Sequence, residues 1–130
     1  MKQFVLITAG VYGMLSVILG AFGAHAFKSI LSAEKLVSFE TGVRYQMYHA
    51  IVLLIIGLAL SFTTSVEKWA AICLIAGVFF FSFSIYFLSF AEHWNINLRF
   101  LGPITPVGGC FLIAGWLLLI IFFIKNKVIL

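Results

Sequence analysis

Aspartate is absent from the 130 residues, and the four acidic side chains are all glutamates, against eight lysines and arginines. Charged residues make up only 9% of the chain while hydrophobic ones reach 64%, so a water-soluble domain is excluded: one core of this size cannot hide that much apolar surface. The formal charge is +4, but the basic residues are scattered rather than gathered on one solvated face, which excludes a nucleic-acid binder. The two cysteines, Cys73 and Cys110, lie inside apolar runs with neither disulfide nor metal spacing, and there they act as small hydrophobes. There is no serine elbow, no carboxylate pair within an apolar span and no His-x-x-x-His spacing. We therefore expect a non-enzymatic protein without a cofactor or metal.

What the chain does have is long apolar runs. Phe4 to Ala24 carries no charge and ends at His25 and Lys28. Lys2, the run after it and Ala24-His25-Ala26 imitate a secretion signal, but the run is long enough to span a bilayer, so an uncleaved helix is expected. A second helix is expected from the N-cap Ser32, with Glu34 in its first turn and an apolar part from Met47 to Phe62. Thr63-Thr64-Ser65 reads as a turn with Ser65 capping a third helix, uncharged from Trp69 to Ala91. Thr105-Pro106 reads as an N-cap followed by proline at the first helical position, and Lys125 and Lys127 close the fourth span. The runs lack the alternation that a barrel needs, and the fold class is all-α: a single four-helix transmembrane bundle with spans near 4–24, 46–62, 68–90 and 106–124.

Lipid offers helices no hydrophobic reason to associate, so small residues that admit close backbone approach mark the packing faces. Ala9, Gly13, Ser16, Gly20 and Gly23 form such a stripe on helix one, Ala50, Gly57 and Ser61 on helix two, Ala70, Gly77, Ser84 and Ala91 on helix three, and Gly108 and Gly115 on helix four. The rings of the stretch Phe79 to Phe90 are expected to face lipid mostly. Four spans place both termini on one side. Basic residues divide evenly, with Lys2, Lys68, Lys125 and Lys127 against Lys28, Lys35, Arg44 and Arg99. The free lysines favour cytoplasmic termini, and an even balance also fits a chain that inserts in both orientations.

Chemistry is less evenly divided. His25, His49, His93, both arginines and three of the four glutamates fall on the side away from the termini. Glu40, Arg44 and Tyr48 form one i,i+4 stripe, Thr41, Tyr45 and His49 the next, and Gln46 adds an amide among apolar neighbours. Helix four begins on this side at Thr105-Pro106, followed by Gly108 and Gly109, so its positive end is expected to lie open near Arg44 or Arg99. Such a cluster suits a lipid headgroup, a small anion or the carboxylate of Glu40, and equally a structural brace or residues snorkelling to the interface. The candidate site residues are His25, Glu40, Arg44, Tyr45, Tyr48, His49, Arg99, Thr105, Gly108 and Gly109.

Three segments resemble a known family. They are Gly20-Ala21-Phe22-Gly23-Ala24-His25, Phe39 through Ala50, and Gly102 through Gly109, joined by Ala114-Gly115-Trp116. They are similar to the small membrane-protein family of domain of unknown function 423, which transmembrane protein 256 of animals also resembles. The resemblance implies a four-helix protein of the bacterial inner membrane with no assigned reaction. Phe81 to Tyr86 looks like the family's third-helix motif, with Phe83 where glycine is expected, so looser packing is expected there. Lipid is the expected partner, with a homo-oligomer or a membrane protein as further ones. The expected role is support of envelope integrity or assembly through the polar end. The alternative is a small homo-oligomeric channel or transporter for an anion or small solute, and a haem- or metal-binding redox component comes third.

Overall fold

In a computed structural model, residues 1–126 are described; Lys127, expected to close the fourth span, lies outside them. Four helices are long and apolar enough to cross a membrane. α1 spans Lys2–Ala24 and α2 spans Ala33–Ala59, joined by a 3-10 turn at Ala26–Ser29. α3 (Ser65–Val78) continues through a π turn at Phe79–Phe83 into α4 (Ser84–Phe90), and together they make the third span. A loop with a 3-10 turn at Arg99–Leu101 leads to α5, Ile104–Lys125.

The local signals explain most of these boundaries. Ser32 caps α2 as expected, its hydroxyl accepting from Lys35 N–H. At 27 residues α2 is roughly 40 Å long, more than the hydrocarbon thickness of about 30 Å, so its polar first turns project. It ends at Ala59, earlier than the expected Phe62, because the chain turns there: Leu60 is extended and Phe62 sits at φ 57°. Ser61 therefore belongs to the loop and not to the small-residue face of α2. The cap of α3 is Thr64 and not Ser65. Only Thr64 has a glutamate three residues on, so its hydroxyl accepts from Glu67 N–H while the Glu67 carboxylate reaches back to Thr64 N–H. α5 starts at Ile104 with Pro103 at the cap, so Thr105 and Pro106 lie inside its first turn.

α1 packs along α2, and α3 along α5; the two hairpins meet where α2 lies against α3, the π turn and α4. The main core gathers Val5, Leu53, Ala70, Ala71, Leu74 and Val78, all fully buried. A second cluster sits under the loop that joins α1 to α2, where Phe39 meets the rings of Phe27, Tyr86 and Phe90 at 5.2, 5.0 and 6.0 Å. The expectation that the Phe79 to Phe90 rings mostly face lipid is corrected here. Phe79 and Phe87 do so, but Phe81, Phe83 and Phe90 are partly buried against the two clusters.

The π turn is the feature no sequence pattern announced. Its Ser82 hydroxyl donates to Gly42 C=O at 2.8 Å, and Ser84, just after it, shares a 2.6 Å bond with the Thr105 hydroxyl. The backbone of Phe80 and Phe81 lies directly on Gly108, where a Cβ would run into the Phe81 amide nitrogen. A wide turn thus accommodates a close approach of the third and fourth spans.

Candidate functional site

Polar side chains inside an apolar bundle need partners, and here they find one another. Gln46, fully buried, donates from Nε2 to Tyr12 C=O at 2.9 Å and accepts at Oε1 from the Tyr86 hydroxyl at 2.7 Å. The same Tyr12 carbonyl accepts from Ser16 at 2.8 Å, and the Tyr12 hydroxyl donates to Ile75 C=O at 2.9 Å. This chain joins α1, α2, α3 and α4. Gly42 makes it geometrically open to Tyr86, since a Cβ at that position would lie 2.8 Å from the ring. Among the described residues no buried side-chain nitrogen or oxygen lacks a partner, so the network is closed.

His49 forms a second, smaller unit. Its Nδ1–H donates to Tyr45 C=O at 2.7 Å, and its Nε2 accepts from Trp116 Nε1–H at 3.2 Å. The two bonds together require the neutral ring protonated at Nδ1. His49 is buried and lies ten residues before the end of α2, roughly 15 Å along it, so it belongs to the bundle interior and not to the polar rim. Tyr45 is exposed and packs on Phe81 at 4.9 Å, while Tyr48 beside it faces outward.

At the rim, the expected cluster separates. Glu40 and Arg44 line a hollow of about 260 Å³ between α1 and α2, floored by Gly20 and Gly23 and walled by Leu19 and Val43. Arg99 stands elsewhere, in a wider hollow of about 770 Å³ shared with Lys35, Glu92, Asn95, Asn97 and Leu88. His25 is exposed at the end of α1. The positive end of α5 is narrower than expected from its two glycines, with the N–H groups of Ile104 and Thr105 at its start. Pro103 and Pro106 carry no N–H, Val107 N–H is taken by Pro103 C=O, and the Thr105 hydroxyl is engaged by Ser84. Gly108 is pressed against the π turn and Gly109 touches the Phe81 ring at 3.9 Å, so both serve helix packing. The structure thus places Glu40 and Arg44 on one hollow without a bond between them among the described residues, and brings Tyr45, beside His49, and Gly109 with Gly108 to Phe81 in the π turn, where Thr105 bonds Ser84.

The opposite end is sealed. Glu67, 2% exposed, accepts from Thr64 N–H and the Thr64 hydroxyl at 2.8 Å each and from Phe62 N–H at 3.3 Å, binding the loop between α2 and α3. Its position at the positive end of α3 adds a favourable dipole. Lys2 donates to Leu58 C=O at 3.0 Å across the same end. Sequence reasoning missed Tyr12, Ser82, Tyr86 and Trp116. The available signal was their type: hydroxyl and indole groups within apolar runs must each find a partner. Among the described residues no group of three His, Cys, Asp or Glu side chains converges on a metal position.

Comparison with known proteins agrees with this architecture. Residues 19–109 match the family described as protein of unknown function DUF423. A UPF0382 membrane protein of Staphylococcus haemolyticus is 47% identical over 122 residues, covering 93% of this chain and 94% of its own. One from Staphylococcus epidermidis is 44% identical over 126 residues, covering 96% and 98%. The UPF0382 inner membrane protein YgdD of Escherichia coli K12 is 34% identical over 127 residues, covering 97% and 93%. No solved structure matches. With a family match over most of its length and relatives that align nearly end to end, this four-helix membrane protein belongs to the DUF423 family.

Proposed function

We propose that the protein is a non-enzymatic, multi-pass inner-membrane protein that holds lipid headgroups at its polar end and thereby supports envelope integrity. One observation carries this reading: Lys35 and Arg99 face the same hollow, with Glu92 as its sole acidic lining residue and Leu88, Ala91 and Leu98 beneath. Two cations over an apolar floor at a membrane face match the chemistry of a phosphate on an acyl-bearing backbone. No side-chain bond joins Lys35 or Arg99 to Glu92 among the described residues, so both cations have donors to offer. The Escherichia coli relative is named an inner membrane protein, and the same location is part of this proposal. A channel within one copy draws no support from the interior, because its polar groups already satisfy one another.

The test is native mass spectrometry of detergent-solubilised protein after incubation with phosphatidylglycerol. The wild type should retain lipid adducts, and Lys35→Gln with Arg99→Gln should lower retention roughly fivefold while thermal unfolding stays unchanged. Equal retention in the double variant overturns the reading. Orientation has its own check, in a chain with Cys73 and Cys110 changed to Ser: Ser29→Cys and Ile96→Cys should label from outside the cell, because both positions are exposed at the end away from the termini.

A further inference from the structure

We infer that the hollow between α1 and α2 is a site for a zwitterionic phospholipid with a primary amine headgroup, of the phosphatidylethanolamine class. The inference deepens the headgroup reading and rests on it, but it concerns a different hollow and a different lipid. It starts from the pairing of opposite charges one helical turn apart. Glu40 and Arg44 both line the hollow, yet no ion pair closes between them among the described residues, although Glu before Arg at this spacing is the favourable order on a helix. An acid and a base that share a pocket without joining each other present a split charge to whatever enters.

The order of the two charges along the membrane normal then selects the ligand. α2 runs inward from its polar start at Ala33, so Arg44 lies one turn deeper than Glu40, roughly 6 Å by helical rise. A zwitterionic phospholipid has the same polarity: its phosphate, bonded to glycerol, lies deeper than the ammonium at its outer end. Arg44 can clasp the phosphate through two parallel N–H donors, while Glu40 accepts from the ammonium. A quaternary ammonium has no N–H to give, so Glu40 favours the primary amine over a choline headgroup. Depth is consistent as well. Arg44 stands 15 residues before Ala59, roughly 22 Å from the far end of α2, which places its backbone about 8 Å inside a hydrocarbon layer of about 30 Å, within reach of the headgroups for a long side chain that snorkels.

The walls suit the rest of the molecule. Gly20 and Gly23 leave the α1 side of the hollow without side chains, and Leu19 and Val43 supply apolar surface at the level where glycerol gives way to acyl chain. At Gly20 an added Cβ would meet Val43 Cγ1 at 3.6 Å and at Gly23 the Phe39 ring at 3.3 Å, so the two helices touch at both glycines and the hollow opens along their seam.

The experiment uses full-length protein in detergent, incubated separately with phosphatidylethanolamine, phosphatidylcholine and phosphatidylglycerol of matched chains, and reads retained lipid, oligomeric state and thermal unfolding. The wild type should retain phosphatidylethanolamine roughly tenfold over phosphatidylcholine. Glu40→Gln should abolish that preference while phosphate-dependent retention persists, and Arg44→Gln should lower retention of both. Each variant should keep the wild-type unfolding midpoint, because neither residue braces the fold. A third variant, Gly20→Leu, fills the hollow without touching either charge and should lower retention too. Equal retention of the two zwitterionic lipids by wild type overturns the assignment, as does unchanged preference in Glu40→Gln. A dimer that dissociates in the variants while lipid retention stays constant assigns the hollow to a second copy and also overturns it. Phosphatidylglycerol retention that depends on Lys35 and Arg99 alone, with no amine preference, leaves the broader headgroup reading standing without this one. Absence of any retained lipid removes both.

Discussion

Along the seam between α3 and α5, an added Cβ at Gly108 would strike the backbone of Phe80 and Phe81. At Gly77 it would lie 2.8 Å from Leu112 N, and at Gly115 3.2 Å from Ala70 C=O. Along the seam between α1 and α2, the same atom at Gly13 would stand 4.0 Å from Ala50 Cβ, and at Gly20 3.6 Å from Val43. The first seam is backbone against backbone; the second keeps room, holds a hollow with Glu40 and Arg44, and is fastened by the Gln46 to Tyr12 hydrogen bond. Membrane helices associate through van der Waals contact and interhelical hydrogen bonds, and here the two hairpins divide those means between them. The loose seam is the one whose hollow carries charged side chains.

Substitutions ordered by expected effect separate the two seams. Gly108→Ala should be the most damaging, about 3 kcal/mol or more of lost stability, because the atoms it meets are backbone and cannot rotate away; thermal unfolding in detergent measures it, and a loss near zero would dissolve the comparison. Gln46→Leu should cost about 1.5 kcal/mol, since it strands the Tyr86 hydroxyl in an apolar setting, while Tyr12 C=O keeps its bond from Ser16. Pairing it with Tyr86→Phe should recover part of that loss, a recovery read by a double-mutant cycle. Gly57→Ala, on the α1–α2 seam, should cost about 1 kcal/mol, because the nearest atoms belong to the flexible end of Leu6. Gly20→Ala should fall within about 0.5 kcal/mol of wild type, for the methyl group meets only Val43 Cγ1, at an ordinary contact distance of 3.6 Å. A large loss at Gly20 with a small one at Gly108 would reverse the assignment of tight and loose seams.

The small-residue stripes named the contact faces correctly at Ala9, Gly13, Ser16, Gly23, Ala50, Gly57, Gly77, Gly108 and Gly115, because spacing of three, four or seven places side chains on one helical face wherever the helix goes. The stripes could not rank the seams. How closely two backbones approach depends on which residue stands opposite, and Gly108 faces a π turn whereas Gly20 faces Val43. Ser61 was misplaced for a related reason: the helix ends two residues earlier, at a turn organised by Glu67.

The candidate site was legible residue by residue and not as an assembly. Glu40 with Arg44, and Tyr45 with His49, were paired by helical periodicity alone, and both pairs persist. Arg99, Lys35 and Glu92 come from segments far apart in the chain, and only the folded loops bring them to one hollow. Thr105, Gly108 and Gly109 had the composition of an open helix start, yet the π turn covers them.

Sequence by itself determined the number of spans, the helical class, the cap at Ser32 and the side on which polar residues collect. Each of these follows from local hydropathy and from the requirement that backbone groups in lipid bond within their own segment. Tertiary structure decided the rest: the hydrogen-bonded chain from Ile75 through Tyr12 and Gln46 to Tyr86, the burial of His49 against Trp116, and the division into a tight seam and a loose one. The physical reason is that hydropathy tells each helix only that it must enter the membrane, whereas the partner of every buried polar group and every glycine is supplied by a different helix.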